Sequence, residues 1–323
     1  MKKALLESYM QRCLELASLG LGRVQPNPMV GAVIVSDELI IGEGWHRQYG
    51  DNHAEINAIH SVKNPDLLKN STLFVNLEPC SHFGKTPPCA DAIIQAGIPE
   101  VVIGNIDPNS KVNGQGVSKL NSAGVNVIVN ILEDQCRELN RRFFTFHNLK
   151  RPYIILKWAQ TSDGFIDIER RNEGEIESYW ITNQELRVIV HKWRSEEDAI
   201  LIGYNTMIHD KPQLTNRLYS GKNPARFVIN RDVASSSDYY SMLPENLTEA
   251  MNVLYSQNIQ SLLVEGGRKT LDSFLNAGLW DEARILIGNQ QWGKGLKAPV
   301  INQMPDREVV INNNVIRYVR RHI

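Results

Sequence analysis

The sequence predicts an α/β protein of two successive domains, and three observations carry that prediction. Short apolar runs alternate with segments of helical spacing through both halves of the chain, which is the pattern of strand–helix units packed as an α/β sheet. At 323 residues the chain is too long for one typical core and suits two. Asn140-Arg141-Arg142-Phe143-Phe144 reads as the end of a docking segment and Lys150-Arg151-Pro152 as a polar break. The boundary is therefore expected between Arg141 and Arg151, with domains over 1–147 and 148–323.

In the first half, Ala4 to about Leu19 sets Leu5, Leu6, Tyr9, Cys13, Leu16 and Ala17 on one helical face and stops at Gly20. Pro26-Asn27-Pro28 breaks regularity before the continuous apolar strand Met29–Val35, and Ile40–Trp45 is its hairpin partner. His53 stands just ahead of Ile56-Asn57-Ala58-Ile59, so His53-Ala54-Glu55 opens a helix. Thr72–Asn76 is a strand that delivers Cys80 beyond its carboxyl end. Pro88 and Cys89 open the helical run Ala90–Ala96, proline being suited to a first turn. Val101–Gly104 and Val125–Val129 are two more strands. Ligands of open α/β sheets sit beyond the strand carboxyl ends. Asn27, Cys80 and the amide-rich run Asp107–Gly114 all fall there, although turn chemistry also selects such residues.

His53, Cys80 and Cys89 offer one imidazole and two thiols, three ligands for a tetrahedral Zn²⁺ with one position left for water. Zinc brings the pKa of such a water to roughly 7. Glu55, two residues past the histidine, is near the metal without being a required ligand, which suits a proton shuttle. H-x-E with P-C-x-x-C is the signature of zinc nucleobase deaminases. Here eight residues, Ser81 to Pro88, separate the cysteines instead of two. The alternative is a closed structural site or a pair of buried thiols. A closed site needs a fourth protein ligand, for which Glu55 is the near candidate.

A net charge of −1 gives no basic field for nucleic acid. Of four cysteines two go to the metal, and Cys13 and Cys136 read as reduced, buried thiols of a reducing cytoplasm. The N-terminus meets Glu7 too soon for a secretory segment, and no apolar run approaches the length of a membrane span. The expectation is a cytoplasmic, soluble homo-oligomer that takes a small-molecule substrate, with no nucleic-acid and no membrane partner.

The second half opens with the strand Tyr153–Ala159, then Gln160-Thr161-Ser162-Asp163-Gly164 and a charged, solvated loop over Glu169–Glu175. Leu186–Trp193 has helical spacing. Asp198–Gly203 is a strand running into Tyr204-Asn205-Thr206, and Gln260–Gly267 repeats the design. Each ends in glycine before a helix, which lets backbone N–H groups face a phosphate. No G-x-G-x-x-G is present, so the doubly wound dinucleotide fingerprint is missing.

Several segments together resemble one family. They are Pro26-Asn27-Pro28-Met29-Val30-Gly31, Gly42-Glu43-Gly44-Trp45-His46, His53-Ala54-Glu55, Glu78-Pro79-Cys80-Ser81-His82 through Pro87-Pro88-Cys89, and Asp107-Pro108-Asn109. In the second half, Thr161-Ser162-Asp163-Gly164, Ser178-Tyr179-Trp180-Ile181-Thr182, Asp210–Arg217 and Val264-Glu265-Gly266-Gly267 are similar to its reductase part. The family is the bifunctional riboflavin-biosynthesis deaminase/reductase, whose own spacer matches the eight residues here. The resemblance implies a cytidine-deaminase-like α/β/α domain followed by a dihydrofolate-reductase-like α/β domain. It implies one zinc per chain on His53, Cys80 and Cys89, Glu55 as the catalytic acid/base, and NADPH. It further implies NADPH contacts at Ala159, Trp180, Thr206, Asp210 and the turn beginning Gly267, and substrate contacts at Ser178, Arg194, Leu214, Arg217 and Glu265. Arginine forks at 194 and 217 suit a substrate phosphate. Phe165–Glu177 is longer and more charged than the family's usual loop. For the reductase acid the candidates are Lys157, Asp163 and Glu265. A nucleic-acid base deaminase would want basic stripes with aromatics, and a zinc-stabilised binding protein a closed four-ligand site.

Overall fold

In the computed structural model, residues 2–82, 87–109, 112–168, 180–230 and 239–321 are described. The chain divides into two compact units, Met1–Leu149 and Lys150–Ile323, the division falling two residues beyond the position read from the sequence.

The first unit runs α1 (Lys3–Ser18), β1 (Gly31–Ser36), β2 (Leu39–Trp45), α2 (Ala54–Ser61), a 3-10 turn over Pro65–Asn70, β3 (Thr72–Leu77), α3 (Cys89–Gln95), β4 (Glu100–Asn105), α4 (Gln115–Ser122), β5 (Asn126–Ile128), α5 (Glu133–Leu139) and α6 (Arg141–Leu149). Its sheet has the order β2-β1-β3-β4-β5. The β1 strand is antiparallel to β2 and β3, while β3, β4 and β5 are parallel. Side chains alternate between two buried faces with the strand period of two. Ala32, Ile34, Leu73, Val75, Val101 and Ile103 pack under α2, α3 and α4 with Ala58, Ile93 and Leu120. Val33, Val35, Phe74 and Val102 pack on the other face against Tyr9, Met10 and Cys13 of α1 and Cys136 of α5. The helix that carries His53 and Glu55 is seated directly on β2: a Cβ on Gly44 would lie 2.4 Å from the Ala58 nitrogen and 2.6 Å from the Ala54 oxygen. Only glycine permits that approach.

The second unit runs β6 (Tyr153–Gln160), β7 (Phe165–Asp167), α7 (Gln184–Glu196), β8 (Ala199–Gly203), α8 (Tyr204–Asp210), β9 (Ala225–Ile229), β10 (Ser241–Leu243), α9 (Leu247–Ser256), β11 (Ser261–Val264), α10 (Arg268–Asn276), β12 (Glu282–Ile287), β13 (Leu296–Lys297), β14 (Arg307–Ile311) and β15 (Asn314–Arg320). Eight strands form the sheet β10-β9-β8-β11-β6-β12-β15-β14, and β13 and β7 make a separate ribbon. Strands β10 to β12 are mutually parallel, and β15 and β14 turn antiparallel at the edge. Parallel pairing places the carboxyl ends of β8, β11 and β6 side by side. Glycine follows or ends two of them, at Gly203 and Gly266-Gly267, and α8 and α10 start there.

Candidate active sites

In the first unit three elements converge. His53 caps α2 with extended backbone (φ −70°, ψ 164°), Cys80 lies in the turn leaving β3, and Cys89 is the first residue of α3. His53 Nδ1 is 3.2 Å from Cys89 Sγ and 3.6 Å from Cys80 Sγ, and the three ligand atoms lie within 4.8 Å of one another. Nitrogen and sulfur on tetrahedral corners at zinc bond lengths are about 3.6 Å apart. The side chains are therefore spaced for a zinc ion, and the soft-to-borderline donor set fits it. The Cys89 N–H donates to Cys80 Sγ at 3.3 Å. Hydrogen bonding from Cys89 and then His53 holds Cys80 toward the thiolate, while Cys89 keeps the shared proton.

Among the described residues, His53, Cys80 and Cys89 alone bring metal-ligating atoms together in this way. Glu55 is buried at 3% exposure and touches Cys89, yet it does not complete a four-ligand cage. Burial pushes its carboxyl up to about 6 against the pull of His53. Two neighbours frame the cluster. His46, edge-on to His53 with ring centres 5.5 Å apart, pairs with Asn27 Nδ2 at 3.1 Å through Nε2 and with the Asn52 carbonyl at 3.1 Å through Nδ1. An Nδ1–H donating to that carbonyl leaves Nε2 to accept from Asn27, and burial favours this neutral ring by lowering its pKa. Asp107, past the end of β4, is pushed up to about 7 by burial. Of the spacer between the cysteines, Phe83–Thr86 lie outside the described residues.

In the second unit two adjoining cavities open at the carboxyl ends of β6, β8 and β11. The smaller, of about 560 Å³, is lined by Lys157, Ala159, Trp180, Arg194, Leu214, Arg217 and Glu265. The larger, of about 940 Å³, is lined by Gly203, Thr206, Gly267, Arg268 and Lys269. Asp167 and Asp210 line both. Every NADPH or substrate contact expected from the sequence lies at one or both of these cavities except Ser178, which falls outside the described residues, as does the charged loop Glu169–Glu175, and the candidate acid Asp163 lines neither cavity.

The smaller cavity is built around a buried carboxylate. Arg194 donates from Nε and Nη2 to the two oxygens of Glu265, each at 2.8 Å, and from Nη1 to the Thr215 carbonyl at 3.0 Å. Lys157 Nζ donates to Glu265 at 3.2 Å. Burial alone would raise the Glu265 carboxyl, but Arg194 and then Lys157 outweigh it and bring it to about 2. Arg194 thus spends its fork on Glu265. Arg217 is exposed and has no hydrogen-bond or ion-pair partner among the described residues. His191, on the cavity wall, is driven down to about 4 by burial and then by Arg194 and Arg217, so it is neutral at pH 7. Asp163 is occupied elsewhere: it accepts from Thr161 at 2.6 Å and from the Trp292 and Gly293 N–H groups.

Glu265 titrates lower in the fold than its ordinary 4.5. The stability it supplies is therefore complete above pH 4.5 and disappears as pH falls towards 2. Glu265→Gln should cost about 3–5 kcal/mol at pH 7 by stranding two buried cations, and should flatten that acid-side slope. Urea melts at a series of pH values, followed by tryptophan fluorescence, read both effects. A variant as stable as the parent at pH 7 would show that the cations need no carboxylate.

The arrangement has counterparts of known identity. Residues 3–105 match the family described as cytidine and deoxycytidylate deaminase zinc-binding region, and residues 152–315 match the RibD C-terminal domain. The riboflavin biosynthesis protein RibD of Aquifex aeolicus is 38% identical over 322 residues, covering 90% of this chain and 88% of that protein. A diaminohydroxyphosphoribosylamino-pyrimidine deaminase of Buchnera aphidicola is 49% identical over 136 residues, 42% of this chain and 91% of its own length. The crystal structure of a Thermotoga maritima diaminohydroxyphosphoribosylaminopyrimidine deaminase/5-amino-6-(5-phosphoribosylamino)uracil reductase superposes with a TM-score of 0.84 at 37% identity, covering 98% of this chain and 99% of that one.

Proposed function

Because this chain belongs to the RibD family of bifunctional riboflavin-biosynthesis deaminase/reductases, we propose that residues 1–149 perform the deamination and residues 150–323 the reduction. The protein is a zinc-dependent deaminase and an NADPH-dependent reductase. The substrate we assign is 2,5-diamino-6-ribosylamino-4(3H)-pyrimidinone 5′-phosphate, and its deaminated product is the substrate of the second unit.

Zinc, when held by His53, Cys80 and Cys89, supplies an acidified water at neutral pH. Glu55 would take a proton from that water and return it to the exocyclic 2-amino group, so that the water oxygen bonds to the ring carbon as the C–N bond breaks and ammonia leaves. A carboxyl poised near 6 both accepts and gives a proton close to neutrality. The observation that carries this reading is three ligands converging beside a buried carboxylate that is not one of them. In the second unit NADPH, when bound, would supply the hydride that reduces C1′ of the ribose. Ala159 and Trp180 line the smaller cavity, Thr206 and Gly267 the larger, and Asp210 both, so we place the cofactor across the two. Of the three candidate acids, Lys157 remains: it lines the smaller cavity and its Nζ is a hydrogen-bond donor, whereas Glu265 is ionised and Asp163 is tied into a turn. Arg217 is the guanidinium free to take the substrate phosphate, and Arg194 holds Glu265 in place. We also place the protein in the cytoplasm. Among the described residues no helix is long and apolar enough to cross a membrane.

Incubation of the zinc-loaded protein with the diaminopyrimidinone phosphate tests the assignment. Ammonia release is expected with or without NADPH, and NADPH consumption is expected to follow it. Absence of ammonia release would reject the deaminase reading. Arg217→Ala should weaken binding of the reductase substrate by roughly 1.5–3 kcal/mol, the scale of a charge-assisted hydrogen bond, with NADPH affinity little changed. Loss of NADPH binding with substrate binding intact would move Arg217 to the cofactor.

A further inference from the structure

Glu78 stands at the head of the turn that carries Cys80, and its side chain is buried at 4% exposure. Among the described residues no cation pairs with it. Its carboxylate is satisfied by backbone instead: the N–H groups of Asp107 and Gly114 donate to Oε2 at 3.1 and 2.9 Å, and those of Gly116 and Val117 donate to Oε1 at 2.8 and 3.2 Å. Asp107 and Gly114 stand near the two ends of the segment between β4 and α4, and Gly116 and Val117 are in the first turn of α4, so one side chain fixes both where the chain leaves the sheet and where the helix begins. The positive end of α4 adds to the attraction. Gly116 makes a second, independent junction. A Cβ there would lie 2.1 Å from the Pro79 carbonyl oxygen, so the first turn of α4 rests on the Cys80 turn at a distance that excludes any larger residue.

The segment held in this way bears Asp107 and Asn109, with the Asn109 N–H donating to Asp107 Oδ1 at 2.8 Å. It lies beyond the carboxyl end of β4, which is paired in parallel with β3, the strand that leads to the metal ligand Cys80. We infer that Glu78 is a positioning residue for deamination, holding Asp107–Asn109 and Gly114–Val117 against the Cys80 turn so that the polar groups of Asp107 and Asn109 bind the pyrimidine ribosylamino phosphate. The inference rests on the assignment of deamination to this unit. The carboxylate is required as such. A glutamine presents an NH₂ donor to an incoming N–H, which exchanges hydrogen bonds for donor–donor contacts.

Glu78→Gln, Glu78→Asp and Gly116→Ala, all in the full-length zinc-loaded protein, test it through zinc content, deamination kinetics, reduction of the already deaminated substrate and amide exchange. Glu78→Gln is expected to keep zinc and reduction, to lose amide protection at Gly114, Gly116 and Val117, and to raise KM for deamination about tenfold or more, with a smaller change in kcat. Glu78→Asp should recover part of that loss. Gly116→Ala, which leaves the carboxylate and both cysteines in place, should raise KM in the same direction. The inference is overturned if the segment loses protection while KM and kcat per bound zinc stay at wild-type values. It is equally overturned if Glu78→Gln sheds zinc or fails to fold while zinc-loaded Gly116→Ala keeps the wild-type KM. A wild-type protein that releases no ammonia brings down the functional assignment and this role with it, and that outcome is read from the wild type alone.

Discussion

Glu55→Gln is expected to retain near-stoichiometric zinc and to lose deamination by at least about 10²-fold, the usual scale for a positioned acid/base. The two side chains have nearly the same shape, so the first turn of α2 and its seating on β2 through Gly44 should survive. The ligand set is also untouched, since His53, Cys80 and Cys89 converge without Glu55. What the amide lacks is the capacity to carry a proton. Burial keeps the native carboxyl near 6, where it exchanges protons readily at neutral pH. Of the neighbours framing the cluster, His46 is spent on Asn27 and the Asn52 carbonyl, and the Asp107 carboxyl, itself raised by burial, accepts from the Asn109 N–H. Metal analysis paired with an ammonia-release assay checks the expectation. A near-wild-type rate in a zinc-replete sample would remove Glu55 from the mechanism.

The strands most legible in the sequence are continuous apolar runs buried on both faces. Strands β1, β3, β6, β8 and β11 read as continuous apolar runs because helices cover each side of their sheets. The edge strand Arg307–Ile311 is not legible, being mostly exposed and mixing charge with valine, and in the separate ribbon Leu296-Lys297 is too short to show a period. Nor is the buried strand Glu282–Ile287, where Glu282 and Arg284 interrupt the apolar run. Asn140–Phe144 reads as the end of a docking segment, and the structure has helix α6 over Arg141–Leu149, whose Phe143 and Phe144 pack on Leu77. Its paired arginines and adjacent aromatics hide the helical spacing. In the sites, ligand identity is written in the sequence, so His53, Cys80, Cys89 and Glu55 could be named from residue type and spacing. Partnership is not written there. Arg194 was legible as a cation, but its engagement with Glu265, 71 positions away, follows from the parallel sheet. The contacts of Glu78 are with backbone N–H groups, which leave no trace in residue identity.

Cys80→Ser bears most directly on the claim that two enzymes are joined in one chain. A neutral serine hydroxyl is a poor substitute for a thiolate ligand, so zinc and deamination should both be lost. Among the described residues, that thiolate lines neither cavity of the second unit. The cavities lined by Lys157, Arg217, Thr206 and Gly267 belong wholly to residues after 150, and hydride transfer from NADPH needs no metal. Metal binding also contributes to folding free energy, so the variant is first shown by circular dichroism and gel filtration to be folded and of the parent's size. The deciding measurement is then its rate of NADPH oxidation with the already deaminated ribosylamino-uracil phosphate. The two-enzyme account predicts a rate close to wild type in a protein that contains no zinc and releases no ammonia. A folded variant that has lost reduction as completely as deamination would contradict it.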